Sequence, residues 1–362
     1  MLESQGKQQK IGTNPNIVRV LIAEDSATIR HHLKTIINAS QGIQVIGEAH
    51  NGEEALKLIP KLKPDVVSMD IRMPGIDGLE ATRRIMMEHP TPVVIVSGLV
   101  RQDIDLSFQA LRAGALAVVE KPLDRTSPDF EEKQRHLIKT LVGMSHVSVV
   151  RRGNTARLVS DATQEAGAVK LVNDPIRLIA IGASAGGPSV LSKLLPTLPA
   201  NLSVPVVIVQ HIPHEFMEGL ARWLDKVSPL TVKVVNHGET LQAGVVHLSP
   251  GTAHLTVQPD GKNLVAKLVK EWGDYRYQPS IDVLFQSVAE TCGANGVGII
   301  LTGMGDDGAS GLLQLRRAGG RTFTQDKKSA TVYGMPSVAI DKGAVDEVLP
   351  LSSLASAIMK LL

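Results

Sequence analysis

Arg177-Leu178-Ile179-Ala180-Ile181-Gly182-Ala183-Ser184-Ala185-Gly186-Gly187 is the stretch on which the reading of this chain turns. An apolar run feeds straight into a serine flanked by small residues, the pattern of a side chain held at a sharp strand-to-helix turn. Small neighbours let the backbone turn tightly, so that the hydroxyl projects above the strand ends beside the free amide N–H groups of a helix start. A hydroxyl alone is a poor nucleophile at neutral pH. It needs a base within hydrogen-bond reach and an acid to orient that base.

Two later strand ends supply both. Val206-Val207-Ile208-Val209 ends in Gln210-His211, and Gly298-Ile299-Ile300-Leu301-Thr302 runs into Gly303-Met304-Gly305-Asp306-Asp307-Gly308. Serine, histidine and aspartate thus all fall just past the carboxyl ends of expected parallel strands, where α/β sheets place their sites. His211 would take the Ser184 proton, and an aspartate would orient the imidazole. Asp306 and Asp307 compete for that place, since either could also cap a helix starting at Gly308. The chain order Ser, His, Asp differs from that of the α/β-hydrolases, where the acid precedes the histidine. A dinucleotide loop is disfavoured, because the glycine spacing is G-x-x-x-G-G and the next strand ends at His211 instead of an acidic residue. His214, His237, His247 and His254 match no metal-ligand spacing.

Around this constellation, strands are expected at 177–181, 204–209, 231–235, 298–301, 321–324 and 344–348, with helices between most of them. Residues 245–269, with Pro250-Gly251 and Asp260-Gly261 turns, read as short antiparallel strands inserted in the α/β domain.

Further toward the N-terminus the same alternation recurs five times, with strands expected at 18–23, 43–48, 65–69, 92–97 and 117–119 and a last helix at 129–144. The expected unit is a five-stranded, doubly wound, flavodoxin-like sheet. Its strand ends carry Glu24 and Asp25, Asp70, Ser97, and Lys121 before Pro122. Carboxylates converging on one edge raise each other's pKa unless a cation neutralises them, and a hard divalent ion such as magnesium does so. A lysine and a hydroxyl nearby suit a phosphoryl group on the central carboxylate.

The 362 residues suit two domains of ordinary size. With 43% hydrophobic but only 3% aromatic residues, the chain has the Val/Ile/Leu/Ala-rich mixture of covered parallel sheets. A formal charge of +2, from 38 basic and 36 acidic residues well interspersed, offers no extended field for a phosphate backbone, so nucleic acid is not expected as a partner. The single cysteine, Cys292, excludes an internal disulfide framework, fits a reducing compartment and is read as structural. No apolar stretch approaches a membrane span and the first residues lack a signal-peptide core, so a cytoplasmic protein with no direct membrane insertion is expected. The expected division is 17–135 for the first domain, 136–174 for a linker, whose stretch 151–164 mixes charge, Gly, Ser, Thr and Asn, and 175–362 for the second domain.

The first-half residues, with Met73-Pro74-Gly75-Ile76-Asp77-Gly78, resemble the receiver domain of two-component response regulators. The resemblance implies that Asp70 accepts phosphate, that Glu24, Asp25 and Asp70 hold Mg2+, that Ser97 and Lys121 contact the phosphoryl oxygens, and that a chemotaxis histidine kinase is the phosphodonor. Ala117 and Val118 stand where receivers often carry an aspartate and an aromatic switch residue before the lysine, so an aromatic relay is not expected. Residues 179–187, Gln210-His211, Pro279-Ser280-Ile281-Asp282-Val283-Leu284-Phe285, 301–308 and Val332-Tyr333-Gly334-Met335-Pro336 closely resemble the effector domain of the CheB chemotaxis methylesterases. That resemblance implies a Ser184, His211, Asp307 triad, the backbone N–H of Met304 as an oxyanion donor, and hydrolysis of glutamyl γ-methyl esters on methyl-accepting chemotaxis receptors. Deamidation of receptor glutamines by the same chemistry is implied too, with no cofactor for the esterase reaction. Ala185 replaces a threonine common in the family, and Asp306 stands where asparagine is frequent.

Overall fold

Short β-branched runs separated by capped amphipathic helices build both halves of the chain. The computed structural model describes residues 17–98, 101–147, 149, 175–273 and 275–362, so the expected connector at 151–164 lies outside the described residues. The first domain is β1 (Val18–Ala23), α1 (Ala27–Asn38), β2 (Ile43–Ala49), α2 (Gly52–Leu62), β3 (Val66–Met69), α3 (Gly78–Glu88), β4 (Val93–Ser97), α4 (Arg101–Ala113), β5 (Ala117–Glu120) and α5 (Phe130–Ser145). Its strands are all parallel, in the order β2-β1-β3-β4-β5. Helix starts are set by local chemistry: Ser26, Asn51 and Asp77 accept the N–H of Ile29, Glu54 and Glu80. Each such cap is worth about 1 kcal/mol.

The second domain comprises β6 (Leu178–Ala183), α6 (Gly187–Leu194), β7 (Val206–Gln210), α7 (Met217–Val227), β8 (Thr231–Val234), β9 (Val245–Leu248), β10 (His254–Asp260), β11 (Asn263–Val269), α8 (Ile281–Cys292), β12 (Gly296–Ile300), α9 (Ala309–Arg317), β13 (Arg321–Gln325), α10 (Gly334–Asp341), β14 (Glu347–Leu349) and α11 (Leu351–Met359). Its main sheet is parallel, ordered β14-β13-β12-β6-β7-β9-β8. β10 and β11 form the expected antiparallel pair. β9, expected to be antiparallel, instead runs parallel between β7 and β8, where Val246 and Leu248 enter the core. Cys292 closes α8 in a buried position that pushes its thiol up to about 11, in keeping with a structural residue. Among the described residues, no helix is long and apolar enough to cross a membrane.

The first domain lies across the carboxyl edge of the second. Phe108 of α4 stacks on Trp223 of α7, with centroids 5.5 Å apart. Leu137, Leu141 and Met144 of α5 form a buried cluster against which Ala185 and Val332 pack. Gly143 lets α5 approach the Met304 side chain closely, since a Cβ there would overlap the Met304 sulfur. A cavity of about 440 Å³ remains between the domains, bounded by Ser184, His211 and Met304 on one side and His136, Lys139 and Thr140 on the other.

Candidate active site

Ser184 sits at the turn between β6 and α6. Gly186 supplies the left-handed backbone this turn needs, with φ 77°. Thr302 holds the loop from below: its carbonyl accepts the Ser184 N–H at 3.0 Å, and its hydroxyl donates to the Ala185 carbonyl at 2.8 Å. β7 lies beside β6 with Ala183 opposite Gln210, so Ser184 and His211 leave adjacent strands side by side, and the His211 N–H donates to the Ala183 carbonyl at 2.9 Å. β12 flanks β6 on its other side and delivers the loop carrying Met304 and Asp307. The chain reverses its direction of strand addition here, which makes this edge the switch point of the sheet.

His211 Nε2 lies 2.9 Å from Asp307 Oδ2. The contact is close, but the ring N–H is not aimed along it, and Nε2 makes no aligned hydrogen bond. Asp307 is anchored at the start of α8. Its Oδ1 accepts the Ser280 hydroxyl at 2.8 Å and the Asp282 N–H at 3.1 Å, and its Oδ2 accepts the Ile281 N–H at 2.7 Å. Burial alone would raise this carboxyl, but His211 and these donors outweigh it and hold the pKa below the usual aspartate value. Asp306 is exposed, and of the two aspartates it is Asp307 that faces His211. Neither aspartate side chain caps α9, contrary to the alternative role expected for them. That role falls to Asp282, which accepts the Gly311 N–H at 2.6 Å.

Several residues not singled out for roles from sequence complete the surroundings. Gln210 donates from Nε2 to the carbonyls of Ser184 and His211 at 2.7 and 2.9 Å. Tyr277 stacks on the His211 ring, centroids 5.1 Å and planes 17° apart. Only the proximity of Tyr277 to Pro279-Ser280 could have flagged it. Gly303 passes directly beneath the nucleophile loop, where a Cβ would come 2.9 Å from Ser184 Cβ. His237, His247 and His254 serve separate local bonds, to Leu268, Gln242 and Ser280.

At the carboxyl edge of the first domain, carboxylate oxygens of Glu24, Asp25 and Asp70 lie within 4.8 Å of one another. Lys121 Nζ bridges Glu24 Oε2 at 2.8 Å and Asp70 Oδ1 at 2.7 Å. Burial raises the pKa of both carboxyls, and Lys121 offsets this only in part. Glu24 Oε2 nonetheless lacks an aligned hydrogen bond. The clustered carboxylate oxygens make a donor set that fits a hard divalent cation. Ser97 ends β4 opposite Glu120, next to Lys121, whose N–H donates to the Ser97 carbonyl, while the Ser97 hydroxyl donates to the Gly98 carbonyl at 3.3 Å.

Comparison with known proteins gives a consistent result. The family described as CheB methylesterase matches residues 179–358, and the response regulator receiver domain matches 20–127. Over 341 residues, 94% of this chain and 95% of the relative, the chain is 47% identical to the protein-glutamate methylesterase/protein-glutamine glutaminase 4 of Myxococcus xanthus (strain DK1622). It is 42% identical over 339 residues, 94% and 97% of the two chains, to the protein-glutamate methylesterase/protein-glutamine glutaminase 3 of Anaeromyxobacter dehalogenans (strain 2CP-C). The crystal structure of the Thermotoga maritima CheB methylesterase catalytic domain superposes with a TM-score of 0.51 at 34% identity, covering 52% of this chain and all of that one.

Proposed function

Because this chain belongs to the CheB methylesterase family and joins that domain to a response regulator receiver, we propose that it is a phosphorylation-regulated protein-glutamate methylesterase. The observation that carries the reading is one cavity, beneath receiver helix α5, lined by both Ser184 and His211, with Asp307 2.9 Å from the imidazole. The substrate is the γ-methyl ester of a glutamyl side chain on a methyl-accepting chemotaxis receptor, which places the protein in the cytoplasm beside the receptor's signalling helices.

Ser184 Oγ attacks the ester carbonyl carbon while His211 removes its proton. Since Nε2 faces Asp307, Nδ1 is the nitrogen that serves Ser184, the reverse of the serine-protease arrangement. The oxyanion is met by the Met304 amide. Collapse expels methanol, which takes its proton from His211 and leaves a glutamyl ester on Ser184. Water, deprotonated by His211, then releases the free glutamate and restores the serine. A glutamine side chain gives the same acyl-enzyme with ammonia as the leaving group, so glutaminase activity belongs to the same reading. The esterase steps use no cofactor.

In the receiver, Asp70 accepts phosphate from a chemotaxis histidine kinase, with Ser97 and Lys121 at the phosphoryl oxygens. Glu24, Asp25 and Asp70 would hold Mg2+, which supplies charge neutralisation for phosphoryl transfer when bound. The docked receiver covers the Ser184 edge and excludes a receptor helix, and phosphate on Asp70 shifts the balance toward release. The division into 17–135, 136–174 and 175–362 belongs to this reading. α5 crosses its first limit, because the last turns of that helix pack against both domains.

Methanol release from methylated receptor tests the chemistry: Ser184→Ala abolishes it, and a retained rate rejects the triad. Measured with and without a small phosphodonor, Asp70→Ala loses the stimulation seen in the parent. Equal rates in all four cases reject the gating.

A further inference from the structure

Tyr277 joins the two domains at the imidazole. One face of its ring lies on His211. Its hydroxyl abuts the backbone of Gly305, where a Cβ would come within 2.9 Å of it, in the loop that also carries Met304 and Asp307. From the receiver, Lys139 of α5 brings its Nζ to 3.3 Å from the Tyr277 hydroxyl and 4.9 Å from the ring centroid, while the Arg276 guanidinium stands 5.6 Å from that centroid. An imidazole with one nitrogen at a carboxylate retains rotation about its side-chain bonds, and a ring stacked nearly parallel on it removes much of that freedom. Here the tilt matching Tyr277 is one in which the Nε2 N–H misses Asp307 although the atoms are 2.9 Å apart.

We propose that Tyr277 is a positioning residue for His211 and that Lys139 is the receiver's handle on it. Docked, Lys139 fixes the Tyr277 ring and, through the stack, holds the imidazole out of line with Asp307. When α5 leaves, Tyr277 stays stacked but free to settle, and His211 turns its N–H onto the carboxylate. The inference rests on the roles given above to Ser184, His211 and Asp307. It adds to exclusion of the receptor an effect on the site's own chemical competence, which an ester too small to be excluded also feels.

The test uses the full chain and 4-nitrophenyl acetate, with and without acetyl phosphate. Lys139→Met raises the rate of the unphosphorylated protein about threefold or more. Tyr277→Phe raises it less, and the double variant goes no further than Lys139→Met alone. In phosphorylated protein, Tyr277→Ala lowers kcat about tenfold or more with KM little changed. It also shifts the acid limb of the pH profile of kcat/KM, and Tyr277→Phe restores both. A Lys139→Met rate equal to the parent, additive effects in the double variant, or a Tyr277→Phe enzyme as impaired as Tyr277→Ala overturns the inference. Should Tyr277→Ala fail to fold, Lys139→Met decides, since Lys139 is an exposed position on α5. Ser184→Ala separates the two levels: full activity there rejects the triad itself, whereas an inactive Ser184→Ala beside an unaffected Lys139→Met rejects only the role of Tyr277.

Discussion

At Asp282 and Asp307, two carboxylates exchange helix starts. Asp307, just before α9, binds the first turn of α8, while Asp282, in the first turn of α8, binds the Gly311 N–H of α9. The exchange holds the acid that faces His211, and it forces the second carboxyl into a poor environment. Burial, with the nearby Asp307 charge, pushes Asp282 from 3.8 up to about 6. Its folded pKa lies above its unfolded one, so the folded state keeps a proton that the unfolded chain has released. Stability therefore falls as pH rises through that window, and the loss is complete above it. Asparagine retains an acceptor for Gly311 without the charge. Asp282→Asn is expected to be the more stable protein at pH 8 by on the order of 1 kcal/mol, with the difference vanishing near pH 4, as thermal melts at the two pH values would show. The placement of Ser184 and His211 at neighbouring strand ends was legible from residues alone, because each follows an apolar run. The choice between Asp306 and Asp307 was not. It depends on which carboxylate meets the start of a helix some 25 positions earlier in the chain, and that contact leaves no local pattern.

Helices α8 and α9 approach so closely that a Cβ on Gly311 would overlap the Asp282 backbone. Backbone cannot swing aside as a flexible side chain does, so Gly311→Ala must separate the helices. The expected cost is about 1–3 kcal/mol in denaturant unfolding, with a fall in ester hydrolysis as Asp307 is carried off its place. Element existence was readable throughout the parallel sheets, since buried strands show as short β-branched runs. The placement of β9 was not readable. Its four residues carry no sign of their partner, and a strand that enters between β7 and β8 pairs out of sequence order. The Pro250-Gly251 turn beyond it suggested a hairpin, whereas the antiparallel pair begins only at His254.

Between the domains, Gly143 and the Phe108–Trp223 stack report on the same docking. Met304 can yield to a single methyl group on Gly143, because its thioether is flexible. A larger wedge leaves it nowhere to go. Gly143→Leu is therefore expected to raise methyl-ester hydrolysis by unphosphorylated protein about fivefold or more, toward the phosphorylated level. Trp223 emission, read in a Trp272→Phe background, should shift to longer wavelength in the same variant as the indole loses Phe108. Unchanged emission and unchanged rate would show that this contact does not hold the domains together. None of this surface was visible in the sequence, where Gly143 is one small residue in an amphipathic helix and Phe108 reads as ordinary core. On the proposed reading, in which the receiver and a receptor helix fill this groove in turn but never together, a further consequence follows by thermodynamic reciprocity. Whatever phosphate on Asp70 does to loosen the receiver, a seated receptor must do in return for phosphate. Receptor fragment added to the chain should thus raise the extent of its phosphorylation at a fixed acetyl phosphate concentration, read at equilibrium, making the target itself a sensitiser of the enzyme sent to modify it.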